Sequence, residues 1–188
     1  NRYLPVAQHY QILTIGTEPG PLRASNGVVV QADLLLDQAQ DSYDLLLVPG
    51  GPGAYNECHP ALLSWLQVAT PRARRFGSIC TGAFVLGHAG LLDGHRVTTH
   101  WHYTERLIKA FPQARVETDR IFLQDGRLIT SGGVTAGIDL ALSVVAQDHG
   151  KQVAVEVAKV LLVVINRQGG QAQFSPMTAA VAPQETAI

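Results

Sequence analysis

Short apolar runs alternate along the chain with segments in which apolar residues recur at helical spacing. The run at 45–48 has no polar alternation, which is typical of a strand buried on both faces of a parallel sheet. Apolar residues between 62 and 69 recur at helical spacing and predict an amphipathic helix over roughly 60–70. Further strands are predicted at 11–15, within 27–36, and at 76–79, 96–99, 115–118, 121–124 and 127–130. Further helices are predicted at 81–89, at 102–110, after Gly132–Gly133, and across Val153–Val164.

This alternation of strands and helices predicts an α/β fold, with a doubly wound, mostly parallel sheet and helices on both faces. Ligands of such sheets bind beyond the carboxyl ends of the strands. A glycine loop at 50–53, Cys80 and His100 each follow a predicted strand. We therefore expect these three features to share one site.

Composition narrows the class of protein. The chain has 188 residues, of which 46% are hydrophobic and 15% charged, which suits one folded domain with a sizeable core. A net charge of -1 gives no basic surface for nucleic acid. No apolar run approaches the ~20 residues that span a bilayer, and we find no signal peptide. Two cysteines make no disulfide framework, so the expected location is the cytoplasm.

Cys80 is the residue at which we expect chemistry. It stands between the predicted strand 76–79 and the predicted helix 81–89, among small residues that let a turn close tightly. This order is typical of a nucleophile elbow, which points a reactive side chain out of a sharp turn. The N terminus of the following helix would favour the thiolate. The alternative is a buried cysteine that acts only as a small hydrophobic residue.

His100 is the candidate base for Cys80, because it follows the strand at 96–99. The alternative is a histidine that orients a turn or caps the next helix. His100 and His102 could also ligate a metal, but no third ligand is evident, so we expect no metal. The loop Gly50–Gly53 could direct backbone N–H groups toward an anion, or it could be a plain strand-to-helix turn.

Other polar residues are assigned structural or surface roles. Thr135 is expected to cap a helix, and Asp139 to act as a structural hydrogen-bond partner. The glycines at 132–133 suggest a backbone turn close to the site. Surface or solvated-loop positions are expected for Cys58, His88, His95, Arg72, Arg74 and Arg75.

Taken together, five motifs resemble the ThiJ/PfpI superfamily. They are Leu47–Gly51, Ser78–Ala83, Gly90–Gly94, Thr98–Trp101 and Thr130–Asp139. The resemblance covers about residues 10–150 and implies a flavodoxin-like, class I glutamine amidotransferase-like fold and a homodimer. It also implies an oxyanion-like pocket made by backbone N–H groups of Gly51 and Thr81. The implied ligand-binding residues are Gly51, Gly53, Cys80, Thr81, His100 and Trp101.

The last third of the chain carries a narrower resemblance. Gln147–Gly150, the apolar helix to Ile165 and Gly169–Ser175 are similar to the sensor domain of AraC/XylS-type transcriptional regulators, in which a helix-turn-helix domain follows. This implies a sensor domain over 1–174 and a linker-like tail over 175–188. The sensor would bind a small metabolite around Cys80 without a cofactor. It would contact DNA only through a domain absent from this chain, and it would have no membrane partner.

Enzymatic alternatives stay open. Isonitrile hydratases share the cysteine elbow and the Thr98–Trp101 stretch, so a hydrolase, hydratase or amidase would use Cys80 as nucleophile and His100 as base. A redox or carbonyl-stress sensor would instead oxidise Cys80. Thr81 follows the cysteine where the peptidase branch has histidine, which argues against proteolysis. Asn1–Leu4 resembles the point after the family's first strand and helix, so the acidic residue expected near the cysteine is missing from this sequence.

Overall fold

The computed structural model describes residues 3–40, 42–56, 59–163 and 170–171. Ten strands run in chain order as β1 Ile15–Gly16, β2 Pro21–Arg23, β3 Val29–Gln31, β4 Leu34–Leu35, β5 Leu45–Val48, β6 Arg75–Ile79, β7 Arg96–Val97, β8 Arg115–Val116, β9 Phe122–Asp125 and β10 Leu128–Ser131. Five α-helices are α1 Pro60–Arg72, α2 Gly82–His88, α3 Thr104–Ala110, α4 Thr135–His149 and α5 Lys151–Leu161. Cys58, the Val164 end of the last predicted helix and the predicted tail 175–188 lie outside the described residues.

The central sheet has four strands in the order β5-β6-β10-β9. β5, β6 and β10 are parallel, and β9 pairs antiparallel with β10 through the hairpin turn at Asp125–Gly126. The prediction of a mostly parallel α/β sheet is confirmed. Because β5, β6 and β10 point the same way, the loops after Val48, Ile79 and Ser131 leave the sheet at one edge.

Helices cover both faces of this sheet. On one face, Phe76 and Leu128 of the sheet pack with the helical residues Leu66, Phe84 and Leu107, all of them buried. On the other face, Ile129 packs with Leu140 and Val144 of α4. Burial of this apolar surface is the main stabilising contribution to such a fold. The smaller strand pairs are β1 with β4, β2 with β3, and β7 with β8.

Three predicted strands, 11–15, 96–99 and 115–118, are shorter in the structure, the last of them covering only Arg115–Val116. Side-chain hydrogen bonds explain the first two. Of the run 11–15 only Ile15 lies in a strand, because Thr14 gives its backbone N–H to the carboxylate of Asp33 at 2.7 Å. The run 96–99 ends at Val97, because the buried N–H of Thr98 donates to Thr130 Oγ1 at 2.9 Å. Donors that side chains satisfy are lost to a strand ladder.

Three of the assigned roles need correction. Arg75 is not in a solvated loop: it begins β6, is 6% exposed, and pairs with Asp148 at 2.6 Å. Thr135 is the first residue of α4 rather than its cap, because the turn at Val134, with φ of 36°, already directs the chain into the helix. His95 is only half-exposed and its Nδ1 lies 3.0 Å from Asp125 Oδ2.

Candidate functional site

Cys80 adopts the strained backbone of a nucleophile elbow. Its φ is +55°, a left-handed conformation that costs a residue other than glycine about 1–3 kcal/mol. Two hydrogen bonds hold it there: Cys80 N–H donates to Ser131 O at 2.9 Å, and Thr99 Oγ1 donates to Cys80 O at 2.8 Å. The elbow predicted from the sequence is confirmed, and strands β6 and β10 fix its shape.

Two glycines close on the Cys80 side chain from the neighbouring loops. A Cβ atom at Gly50 would lie 2.9 Å from Cys80 Cβ. A Cβ atom at Gly133 would lie 2.7 Å from Cys80 Cβ and 2.9 Å from its Sγ. Neither position has room for a larger residue, so the thiol lies between the loops that follow β5 and β10. The backbone turn expected near the site at 132–133 is thereby confirmed.

The Cys80 thiol is half-buried, and burial decides its protonation. Burial raises the pKa of Cys80 above its ordinary value, while the backbone N–H and the side chain of Thr81 lower it by less. The net direction is the opposite of the one expected from the N terminus of α2. The site therefore holds a neutral thiol at pH 7.

Thr81 and Gly51 form a reciprocal pair beside the elbow. Gly51 N–H donates to Thr81 Oγ1 at 2.9 Å, and the hydroxyl donates back to Gly51 O at 3.0 Å. Thr81 is buried, and Gly53 lies two residues after Gly51 in a short 3₁₀ turn, Pro52–Tyr55. The Gly51 amide, which the family resemblance assigns to an oxyanion pocket, thus already has a partner within the protein.

His100 begins a short 3₁₀ turn, Trp101–Tyr103, and its Nδ1 accepts the backbone N–H of His102 at 3.3 Å. Burial, followed by the charge of His102, lowers the pKa of His100 below its ordinary value. The ring is therefore neutral at pH 7, and with Nδ1 accepting, its proton lies on Nε2. Among the hydrogen bonds of the described residues, none joins this ring to Cys80.

A tyrosine pair stands near Cys80 that the sequence did not single out. Tyr103 OH donates to Tyr55 OH at 3.3 Å, and the two rings lie 4.8 Å apart. The hydrogen bond to Tyr55 and burial raise the pKa of Tyr103, and the charge of a Cys80 thiolate raises it further. The Arg106 guanidinium stacks 4.6 Å from the centre of the Tyr55 ring. Nothing in the sequence connects Tyr55 with Tyr103, 48 residues later.

Gln171 is a second residue whose place in the site was not anticipated. It is 5% exposed, and its side chain hydrogen-bonds to Trp101 N, Thr99 O and Arg120 O. The sequence offered one signal, since Gln171 belongs to the motif Gly169–Ser175. That motif was connected with a family of proteins and not with the turn that carries His100 and Trp101.

Two cavities of the described chain lie away from Cys80. One, of about 360 Å³, is lined by residues at the opposite end of the sheet, among them Phe76, Asp125 and Arg127. The other, of about 250 Å³, lies beside β4. Within the described ranges, no group of three His, Cys, Asp or Glu side chains is arranged to hold a metal ion.

Most of the chain matches a known protein family. The model of the DJ-1/PfpI family matches residues 3–147, and the elbow at Cys80 lies within that match. This chain belongs to the DJ-1/PfpI family. The resemblance to the ThiJ/PfpI superfamily is therefore confirmed.

Relatives of this DJ-1/PfpI chain include regulators and an enzyme. It is 40% identical over 153 residues to the HTH-type transcriptional regulator CdhR of Pseudomonas aeruginosa, covering 81% of this chain and 45% of the relative. It is 36% identical over 137 residues to the isonitrile hydratase of Pseudomonas putida, covering 71% of this chain and 58% of the enzyme. The chain thus spans about half the length of these curated relatives.

Solved structures confirm the DJ-1/PfpI fold. A THiJ/PfpI family protein from Pseudomonas syringae superposes with a TM-score of 0.76 and 26% identity, over 84% of this chain and 65% of that one.

Among the described residues, no helix combines the length and apolar character that crossing a membrane requires.

Proposed function

We propose that this chain is the effector-sensing domain of an AraC-type transcriptional regulator, and that a small polar or nitrogen-containing metabolite binds at the Cys80 elbow. The observation that carries this proposal is the hydrogen bonding around the elbow. Burial keeps Cys80 neutral, and His100, the candidate base, is hydrogen-bonded to His102 instead. A cysteine hydrolase needs a nucleophile and base within hydrogen-bond reach. Among the described residues no hydrogen bond joins a base to Cys80, so the elbow has the shape of such a site without the bonded pair.

The comparisons support the regulatory part. The relative CdhR is named as an HTH-type regulator, and the aligned region is 45% of it, which leaves room in that protein for a DNA-binding domain. Gly169–Ser175 resembles the point where AraC/XylS-type sensors continue toward such a domain. DNA contact through a C-terminal domain, a homodimer and a cytoplasmic location belong to the same proposal.

The residues that would contact the effector surround the elbow. Gly51, Gly53 and Thr81 border the elbow, where an effector would have to compete with the hydrogen bonds between Gly51 and Thr81. The indole of Trp101 lies near His100, with ring centres 5.4 Å apart. These groups are uncharged at pH 7, which suits a small polar molecule better than a strongly charged one. Binding would regulate DNA affinity only through different affinities for two states of the regulator.

A thermal-shift screen of small polar metabolites tests the proposal. A ligand at 100 times its Kd stabilises by about 2.7 kcal/mol, which raises Tm by several degrees for a domain of this size. We expect His100→Ala to lose the shift, and His88→Ala, an exposed histidine at the end of α2, to keep it. A shift that survives His100→Ala, or no shift with any compound, would contradict binding at the elbow.

A hydratase is the second candidate, favoured by the 36% identity to isonitrile hydratase. In this reaction the Cys80 thiolate would add to the isonitrile carbon, and a proton would complete a thioimidate. Water would then add at that carbon and the C–S bond would break, which returns the thiol. The product is the N-substituted formamide. Mass spectrometry of an alkyl isonitrile incubated with wild type or with Cys80→Ser measures whether this formamide is formed and whether its formation needs Cys80. If formamide is formed by wild type and not by Cys80→Ser, the hydratase function replaces the sensor function as the proposal.

A further inference from the structure

Gln171 joins the C-terminal part of the described chain to the turn beside Cys80. Its Nε2 donates to Thr99 O at 2.9 Å and to Arg120 O at 2.5 Å, with Thr98 Oγ1 at 3.3 Å. Its Oε1 accepts Trp101 N–H at 2.9 Å. This amide therefore bonds to a turn that lies 70 residues earlier in the sequence.

The Gln171 amide fills a close-fitting space, here called the socket, between Gly132 and the Thr98–Trp101 turn. A Cβ atom at Gly132 would lie 2.6 Å from Gln171 Oε1, so glycine at 132 makes the space that the amide fills. The next residue, Gly133, touches the Cys80 side chain. The Thr99 carbonyl accepts a hydrogen bond from the Gln171 amide, and the Thr99 hydroxyl donates a hydrogen bond to Cys80 O. Two routes of direct contact therefore connect Gln171 with the elbow.

Only a primary amide meets the demands of this socket. The carbonyls of Thr99 and Arg120 need donors, while the N–H of Trp101 needs an acceptor. A glutamate would accept from Trp101 but would face two carbonyls with a carboxylate. A methionine of similar length would leave the Trp101 N–H without its acceptor and would remove the amide donor from two carbonyls, of which only that of Arg120 has the Thr98 hydroxyl within 3.0 Å. Buried unpaired groups are costly.

We propose that Gln171 is a positioning residue that holds the Thr98–Trp101 turn in place at the elbow and couples the state of the elbow to the chain that follows. When Gln171 is docked, the turn keeps the shape described here. An occupant at Cys80 that shifts Thr99 or Trp101 releases the amide. The coupling is reciprocal, so release of Gln171 also alters the elbow. Its meaning as a signal toward DNA rests on the proposed sensing function.

The positioning role is tested with Trp101 as the reporter. Trp65→Phe leaves Trp101 as the single tryptophan of the 188-residue chain. In that background we expect Gln171→Met and Gln171→Glu to shift Trp101 emission and raise iodide quenching, and to change Cys80 alkylation by iodoacetamide several-fold. Gln67 lies in α1, and its amide donates to Ala89 O at the end of α2, so Gln67→Met is the control that removes a glutamine hydrogen bond elsewhere in the fold. Unchanged emission, quenching and alkylation in both Gln171 variants would overturn the proposal.

The coupling is tested with iodoacetamide itself as the occupant of the elbow. Release of the amide leaves the Trp101 N–H without its acceptor, so hydrogen–deuterium exchange in peptides that span Trp101 reports on release. We expect carbamidomethylation of Cys80 to speed this exchange in wild type. In Gln171→Met, exchange is already fast and modification adds nothing, because the two changes act on one contact.

Additive effects of modification and substitution, or no effect of modification in wild type, would overturn the coupling. A measurement in the Cys58→Ser background assigns the modification to Cys80. Failure of the metabolite screen would remove the sensing function but leave these readouts unchanged, so the two proposals fail separately.

Discussion

At the scale of the residue, Cys80 shows which properties of a reactive side chain a sequence defines. The order of strand, small-residue turn and helix predicted the elbow, and a φ of +55° confirms it. The direction of the pKa was wrong, because it depends on burial by loops that come from Gly50 and Gly133. Those positions are far from Cys80 in sequence, and local pattern carries no information on how tightly they close.

Alkylation of Cys80 should follow a raised pKa. We expect little reaction with iodoacetamide at pH 7 and a rate that climbs through alkaline pH, with a midpoint above the ordinary pKa of cysteine, because burial disfavours the thiolate. Thr81→Val should move the midpoint further up, since the Thr81 side chain lowers the pKa. Peptide mass spectrometry follows Cys80 alone, and Cys80→Ser is the blank. A midpoint below about 8 would show a thiolate-stabilising site instead.

Glycine at 133 should be required for two separate reasons. Its φ is +109° and an added Cβ would lie 2.7 Å from Cys80 Cβ, so Gly133→Ala combines strain with overlap. Gly126, with φ of +61° and open space around it, is the matched control, and Gly126→Ala should cost only the strain, about 1 kcal/mol. We expect Gly133→Ala to cost at least about 2 kcal/mol more in urea unfolding. Equal losses of stability in the two variants would mean that the loop at 133 yields without contacting the thiol.

At the scale of the element, apolar periodicity located the helices better than the strands. α1 spans Pro60–Arg72 against a predicted 60–70, and α2 spans Gly82–His88 against 81–89. Strand β1 retains little of its predicted run, and Ile12 of that run is 84% exposed. A helix satisfies its own backbone hydrogen bonds, so its pattern is local. A strand exists only where a partner strand lies beside it, and that information is tertiary.

A buried ion pair joins the end of α4 to the start of β6, although the sequence analysis predicted that its arginine, Arg75, lies in a solvated loop. Asp148 pairs with Arg75 at 2.6 Å, and the side chains are 10% and 8% exposed. Arg74 and Tyr10 also donate to Asp148, with the Tyr10 hydroxyl at 3.1 Å. Burial raises the pKa of Asp148, but these hydrogen bonds, that of Arg75 first, bring it below its ordinary value.

Asp148→Asn should therefore destabilise the fold by about 3–5 kcal/mol at pH 7, because it leaves the Arg75 charge buried without a counter-ion. The lowered pKa makes the contribution of Asp148 complete above its ordinary value near 4, and the contribution is lost as pH falls through the lower folded-state pKa. Urea unfolding from pH 7 to pH 2 measures this. The loss below pH 4 should be smaller in Asp148→Asn than in wild type.

Asp44→Asn is the control for that experiment. Asp44 is 87% exposed and lies 3.6 Å from Arg74, so its loss should change stability by no more than about 0.5 kcal/mol. A similar small effect of Asp148→Asn would show that Arg75 finds solvent or another partner.

At the scale of the whole molecule, the sheet order brings the site together. The alternation of elements predicted a doubly wound sheet and a common edge for its loops, and the order β5-β6-β10-β9 confirms that β5, β6 and β10 share this edge. Sequence order could not show that Tyr55 meets Tyr103 or that Gln171 meets Trp101, because such pairs depend on how loops fold over the edge. The candidate site therefore includes residues that the sequence motifs did not identify as part of it.

The contacts of Gln171 also change where this domain should be divided. The match to the DJ-1/PfpI family stops at residue 147, whereas α5 and Gln171 follow it. A fragment cut at 147 would lack Asp148 and leave Trp101 N–H without its acceptor. The domain defined by sequence similarity to the family ends at residue 147. The domain defined by the hydrogen bonds of its side chains extends at least to residue 171.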